Sequence, residues 1–324
     1  MRPAGAVSEK SRTAAVPSAK VLLTASNRIS GASPVTAVVM RPGYAQPPSG
    51  CGAASSRAAA SLDWGPMSGR TIIITGASGG IGAEAARQLV AQGEKVVIVG
   101  RNPQRTADVA RPIGADYFLA DFTHLDQVRE LARQLDERYG RIDVLVNNAG
   151  GAAPRRRVTD DGFEQDFQVN YLAAFLLTNL LMDRLVASQA TVITTSSIAH
   201  RLARLDPDDL QLERGWSVMR AYANSKLLDI LLTRQLQRRF GDLGINAVCF
   251  HPGIVSSGFA RDVGGWLGRW YRSRLCRLVM TTPAEAAGIV VRLAEGVPGQ
   301  DWTPGDYCVG ARRASTSSAA RNRG

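Results

Sequence analysis

The chain has 324 residues and a formal net charge of +11, which is length enough for one large core or two small ones and charge enough to suggest nucleic acid or a membrane surface. Most of that charge is terminal: residues 1–66 carry +5 and residues 311–324 carry +4, leaving +2 between them and arguing against a nucleic-acid partner. No apolar run reaches the ~18 residues of a spanning helix. Cys51, Cys249, Cys276 and Cys308 form no C-x-x-C pair, and His124, His200 and His251 lack metal-ligand spacing, so we expect a cytoplasmic protein with no transmembrane segment and no metal site.

Residues 1–66 are rich in Ala, Ser, Gly, Pro and Arg, hold only Glu9 and Asp63 as acids, and lack hydrophobic periodicity; they read as a disordered basic extension. Met67 stands directly before the first strand, so the extension reads either as an upstream start or, given its Arg and Ser, as an organellar targeting peptide. Residues 311–324 have the same composition and read as a disordered basic tail. One catalytic domain over residues 67–310 is expected between them.

That domain opens with a β-branched run at residues 71–75, which predicts a buried parallel strand, and an alanine-rich helix is predicted at residues 83–92. Between them lies Gly76-Ala77-Ser78-Gly79-Gly80-Ile81-Gly82. Gly76 can turn the chain, Gly80 lets backbone approach a pyrophosphate, and Gly82 lets the helix pack closely, its N-terminal amides facing the phosphates. A dinucleotide is expected here.

Residues 95–99 read as a second strand ending at Arg101. With no acid there to hold a ribose hydroxyl, the arginine favours NADP(H), with NAD(H) as the alternative. A third strand at residues 115–120 ends at Asp121, a helix follows at residues 124–139, and a fourth strand at residues 143–146 runs into Asn147-Asn148-Ala149-Gly150. Residues 163–186 read as one long helix carrying Asn170. A fifth strand at residues 191–195 ends in Ser196-Ser197, a helix over residues 222–240 opens on Tyr222-Ala223-Asn224-Ser225-Lys226, and a sixth strand at residues 245–250 precedes His251-Pro252-Gly253. Strands alternating with helices at this rhythm predict an α/β fold: a single Rossmann-type doubly wound parallel sheet with helices on both faces.

Tyr222 and Lys226 lie four apart, so both point from one helix face. A phenol titrates near about 10, and a neighbouring ammonium favours its phenolate, so Lys226 together with a cationic nicotinamide in a partly dry site is expected to give a tyrosine of lowered pKa that exchanges a proton with an alcohol.

In order, the glycine motif, Asn-Asn-Ala-Gly, Asn170, Ser196-Ser197, Tyr222-x-x-x-Lys226 and Pro252-Gly resemble the short-chain dehydrogenase/reductase family over about residues 69–310. Within it the chain is most similar to the retinol dehydrogenase-type branch, through Val-Gly-Arg-Asn at 99–102, Ser-Ser-Ile-Ala-His at 196–200 and His-Pro-Gly-Ile-Val-Ser-Ser at 251–257.

The resemblance implies a nicotinamide-dependent oxidoreductase that interconverts an alcohol and an aldehyde or ketone. Tyr222 would be the general acid/base, Lys226 would lower its pKa and hold the nicotinamide ribose, Ser197 would bond the substrate oxygen, and Asn170 would position a relay water. Gly76, Ser78, Gly80 and Ile81 would wrap the pyrophosphate. Asp121 would reach adenine and Asn148 the adenosine ribose, while Pro252, Gly253 and Ser257 would stand by the nicotinamide. Residues 255–280 would form a substrate lid whose tryptophans and leucines, among them Trp266 and Trp270, alternate with arginines and suggest a lipophilic small molecule. Membrane-bound retinol dehydrogenases carry an N-terminal anchor of which this sequence shows no counterpart, which argues against retinol itself. The rival readings on the same fold are a non-catalytic nucleotide sensor and a membrane-surface protein; a homo-oligomer is left open.

Overall fold

The computed structural model describes residues 69–253, 281–310 and 312–321. Its centre is β1 (Thr71–Thr75), buried along its whole length, as a β-branched run without alternation requires. The other strands are β2 (Lys95–Gly100), β3 (Asp116–Leu119), β4 (Val144–Asn147), β5 (Thr191–Thr195), β6 (Asn246–His251), β7 (Tyr307–Val309) and β8 (Arg312–Arg313). They form one sheet in the order β3-β2-β1-β4-β5-β6-β7-β8, parallel throughout except where β8 pairs antiparallel with β7. The strand order reverses between β1 and β4, and a crevice opens beyond the carboxyl ends at that point.

The helices are α1 (Gly80–Ala91), α2 (Pro103–Ala110), α3 (Leu125–Arg138), α4 (Ala173–Leu180), α5 (Met182–Ala187), α6 (Val218–Phe240), α7 (Pro283–Glu295) and α8 (Ser318–Arg321). On one face α1 and α7 lie side by side, seating Ala86, Leu89, Val290 and Leu293 over Ile72, Ile74, Val146 and Ile193. Ile73, Leu145 and Val192 alternate with those strand residues and point to the opposite face, where α3 packs with α4 and α6 lies along β5 and β6. Among the described residues no helix is long and apolar enough to cross a membrane.

Three sequence expectations need correction. The long helix of residues 163–186 is broken into a π-helical segment (Phe167–Leu172), α4 and α5, with Leu181 leaving helical geometry between the last two. Nearly every residue of the π segment is buried, so the hydrophobic pattern does not mark where the ladder widens to i→i+5. The helix carrying Tyr222 begins a turn earlier, because the Ser217 side chain accepts the Arg220 N–H as a cap. α7, which was not anticipated, begins at a capping box in which Thr282 and Glu285 bond reciprocally and Pro283 occupies the first turn. Finally, residues 312–321 are not a disordered tail: they supply β8 and α8, and Ala320 is buried with Leu227, Ile230, Cys249 and Tyr307. The extension of residues 1–66, the lid of residues 255–280 and Ser257 lie outside the described residues.

Candidate active site

The crevice is a cavity of about 990 Å³, large for a small-molecule site, and runs from the glycine turn to α6. Of the expected cofactor-site residues, Gly76, Ser78, Gly80, Ile81, Arg101, Asp121, Asn148, Tyr222, Lys226, Pro252 and Gly253 all border it, as do Asn170 and Ser197.

Two glycines are required by geometry. Gly76 sits at φ +66°, and a Cβ there would lie 2.7 Å from the Ala149 Cα, so the β1 turn and the β4 loop meet backbone to backbone. Gly80, at φ +59°, has open space where a Cβ would project. That space adjoins the N-terminus of α1, so the turn fits a pyrophosphate cradle. The far end fits a polar group as well: His251 is buried against the cavity, its Nδ1 has no partner among the described residues, and burial pushes its pKa down to about 4, so the ring is neutral.

At the carboxyl end of β2, Arg101 is exposed and borders the cavity. Sequence reasoning missed its companion: Arg105, in the first turn of α2 under the Asn102 cap, also borders the cavity, with its Nη2 only 3.1 Å from where a Gly79 Cβ would stand. The helix Pro103–Ala110, which was not anticipated, is what turns Arg105 back over the glycine loop. The Asp121 Oδ1 accepts from the Thr123 N–H and hydroxyl (3.0 and 2.9 Å), and the Asn148 amide donates to the Thr75 carbonyl (2.9 Å), tying the β4 loop to β1.

Asn170 lies on the π-helical segment. Its Oδ1 accepts the Gly151 N–H (2.8 Å), while its Nδ2 donates to the Gly151 carbonyl (2.8 Å) and to Ser225 Oγ (2.9 Å). The side chain is thus a clamp between the β4 loop and α6. Gly150 allows the approach, since a Cβ there would lie 3.0 Å from Asn170 Oδ1.

The two serines after β5 divide their work. Ser196 is buried and donates to the Lys226 carbonyl (2.8 Å). Ser197 caps the following 3-10 turn (Ile198–Leu202) by accepting the Ala199 N–H (3.2 Å), and its side chain hydrogen-bonds Tyr222. Lys226 Nζ donates to the Thr195 carbonyl (2.9 Å) and to Asp229 Oδ2 (2.8 Å), and lies 5.8 Å from the Tyr222 ring centroid.

Burial of the Tyr222 hydroxyl outweighs the pull of Lys226 and the Ser197 bond, so its pKa stands above the ordinary value. The charges of Asp229 and Asp166 raise it further. Burial disfavours the Lys226 ammonium, but the charges of Asp229, Tyr222 and Asp166 together more than offset this, so the ammonium persists as the partner of Asp229. Asp229 itself is pushed up to about 6 by burial. Asp166, which was not anticipated, borders the cavity: burial and the Glu164 charge push it up to about 7, its Oδ1 accepts the Ala153 N–H (2.8 Å), and its Oδ2 has no partner among the described residues.

A family model described as short chain dehydrogenase matches residues 70–267. The chain is 40% identical over 267 residues to a protein of Streptomyces sp. (strain C5) named as a daunorubicin C-13 ketoreductase, covering 80% of this chain and 90% of that one. It is 34% identical over 266 residues to retinol dehydrogenase 12 of Homo sapiens, covering 79% and 82% respectively. A solved structure from Mycobacterium Paratuberculosis superposes with a TM-score of 0.61 at 29% identity, over 79% of this chain and 88% of that one.

Proposed function

The chain belongs to the short chain dehydrogenase family, on its retinol dehydrogenase-like branch, and is an NAD(P)-dependent oxidoreductase acting on CH–OH groups; from that premise we propose that it uses NADP(H) to interconvert a lipophilic alcohol and its aldehyde or ketone, with Tyr222 as the general acid/base. The observation that carries this reading is that one cavity holds the glycine turn and both Arg101 and Arg105 at one end, and Ser197, Tyr222, Lys226 and Asn170 at the other.

The nicotinamide supplies the hydride chemistry when bound. The protein's part is binding, orientation and the proton. Gly76, Ser78, Gly80 and Ile81 would hold the pyrophosphate, and Asp121 and Asn148 the adenosine. Pro252 and Gly253 would stand by the nicotinamide. The guanidinium groups of Arg101 and Arg105 would hold a 2′-phosphate, which NAD(H) lacks. In carbonyl reduction the Tyr222 hydroxyl donates its proton to the substrate oxygen while the Ser197 hydroxyl holds that oxygen in place. Lys226, steadied by Thr195 and Asp229, offsets the negative charge that Tyr222 acquires.

A lipophilic substrate is supported by the wall beyond Ser197. Ile198 and Leu202 remain 46% and 63% exposed although both border the cavity, and Met219 lines it beside them. Purified protein with NADPH, tested against aldehydes and ketones of graded apolar bulk, should show kcat/KM rising with bulk. Preference for short polar carbonyls, or turnover of none, would overturn the substrate assignment.

A further inference from the structure

The 3-10 turn after Ser197 contains a residue that the chemistry above does not use. His200 is fully buried, its Nδ1 hydrogen-bonds the Ser197 carbonyl at 2.7 Å, and its Nε2 accepts the Ser317 N–H at 3.3 Å. Those two bonds define one neutral tautomer, with the proton on Nδ1. Tyr307 packs edge-on against the ring, centroids 4.8 Å apart, leaving it no room to swing.

Ser317 belongs to the C-terminal segment, which is docked rather than loose. The Ala314 N–H donates to the Tyr307 carbonyl (2.9 Å), Arg201 Nη2 to the Ser315 carbonyl (3.1 Å), and Arg234 Nη2 to Thr316 Oγ1 (3.1 Å). A continuous set of bonds therefore runs from residues 314–317 through the imidazole to the backbone of Ser197, whose side chain meets Tyr222.

We propose that His200 is a positioning residue for Ser197, and that the C-terminal segment acts on the active site through it. The inference rests on the reading of Ser197 as the group that holds the substrate oxygen. Its physical basis is orientation: the Ser197 hydroxyl must meet both Tyr222 and the substrate oxygen, and a displacement of about 1 Å in a reacting geometry can cost on the order of 10²-fold in rate. The imidazole fixes the direction of the Ser197 peptide from behind, where no substrate reaches.

The test separates the two bonds. His200→Phe removes both and should lower kcat by about tenfold or more, with NADP(H) affinity unchanged within about twofold. His200→Asn puts an N–H donor at the Nδ1 position, keeps the Ser197 bond and should recover most of that kcat. Ser317→Pro deletes the N–H that Nε2 accepts and should lower kcat severalfold in the wild-type background but not in His200→Phe, whereas Ser317→Ala, which keeps the N–H, should be silent. If His200→Phe does not fold, the contrast between Ser317→Pro and Ser317→Ala decides alone. Wild-type kcat in His200→Phe, or losses from His200→Phe and Ser317→Pro that multiply, would overturn the proposal. Ser197→Ala is the control: full activity there removes the reading of Ser197, while an inactive Ser197→Ala beside a normal His200→Phe removes this inference alone.

Discussion

Lys226 Nζ lies 2.8 Å from Asp229 Oδ2 with both side chains almost wholly buried, so the ammonium that faces Tyr222 is one half of an ion pair one helical turn long. Among the described residues Asp229 Oδ1 has no hydrogen-bond partner. Removing one member of such a pair strands the other in a low-dielectric interior. Lys226→Met should therefore destabilise the protein by about 3–5 kcal/mol, and Lys226→Met with Asp229→Leu should recover most of that loss. Denaturant unfolding of the wild type and the two variants measures this. Equal losses in the single and double variants would show that the charges are not coupled.

Gly80 supplies a second prediction. Its φ of +59° strains any L side chain, yet a Cβ there meets nothing within 4 Å. Gly80→Ala should cost only about 1–2 kcal/mol of stability, while its methyl intrudes where the pyrophosphate would lie. Cofactor titration should show affinity falling by more than about tenfold, equivalent to about 1.4 kcal/mol. Unchanged affinity would place the pyrophosphate elsewhere.

Arg101 and Arg105 border the same end of the cavity, and their contributions should add. Arg101→Asp and Arg105→Glu each replace a phosphate partner by a repelling carboxylate, so each should shift the ratio of kcat/KM for NADPH over NADH toward NADH, and the double variant should invert it. Steady-state kinetics with both cofactors checks this; a ratio insensitive to both changes would remove the NADP(H) preference.

The fold was legible wherever local pattern decides it. The β-branched stretches at β1 and β5 match their predicted bounds because buried parallel strands need such runs, and Gly76 declared itself through the turn that follows. What escaped depends on three-dimensional neighbours. Asn170, on the π segment, is held by bonds to Gly151 and Ser225, which are distant in sequence. Arg105 gains its position only through the orientation of α2. Asp229 was visible three residues after Lys226, but its effect on Tyr222 comes from burial, which spacing does not report. Residues 312–321 read as a tail because their composition is polar, whereas their place follows from bonds to Arg201, Arg234 and His200.

Asp166 links the site to pH-dependent stability. Its carboxyl is almost fully buried and its pKa is pushed up to about 7 by burial and by Glu164. A folded-state value raised above the unfolded one means that its contribution is fully present below the ordinary carboxylate range and is lost as pH rises through about 7. Asp166→Asn keeps an acceptor for the Ala153 N–H and removes that loss. Relative to wild type, it should be on the order of 2–4 kcal/mol more stable at alkaline pH and no different at strongly acidic pH. Urea midpoints across a pH series measure the difference, and a pH-independent difference would contradict the assignment.

The central claim is that Tyr222 moves the substrate proton, and Tyr222→Phe tests it most directly. The substitution removes one oxygen, keeps the ring beside Lys226, and leaves the glycine turn and both arginines untouched. Turnover in both directions should fall by about 10²- to 10⁴-fold with NADP(H) affinity within about twofold of wild type. Because burial holds the Tyr222 hydroxyl above the ordinary phenol value, wild-type carbonyl reduction should be flat through neutral pH, and alcohol oxidation should climb into the alkaline range, with Lys226→Met pushing that climb higher still. Near-normal turnover in Tyr222→Phe with normal cofactor affinity would contradict the account and leave the fold without the proton chemistry assigned to it.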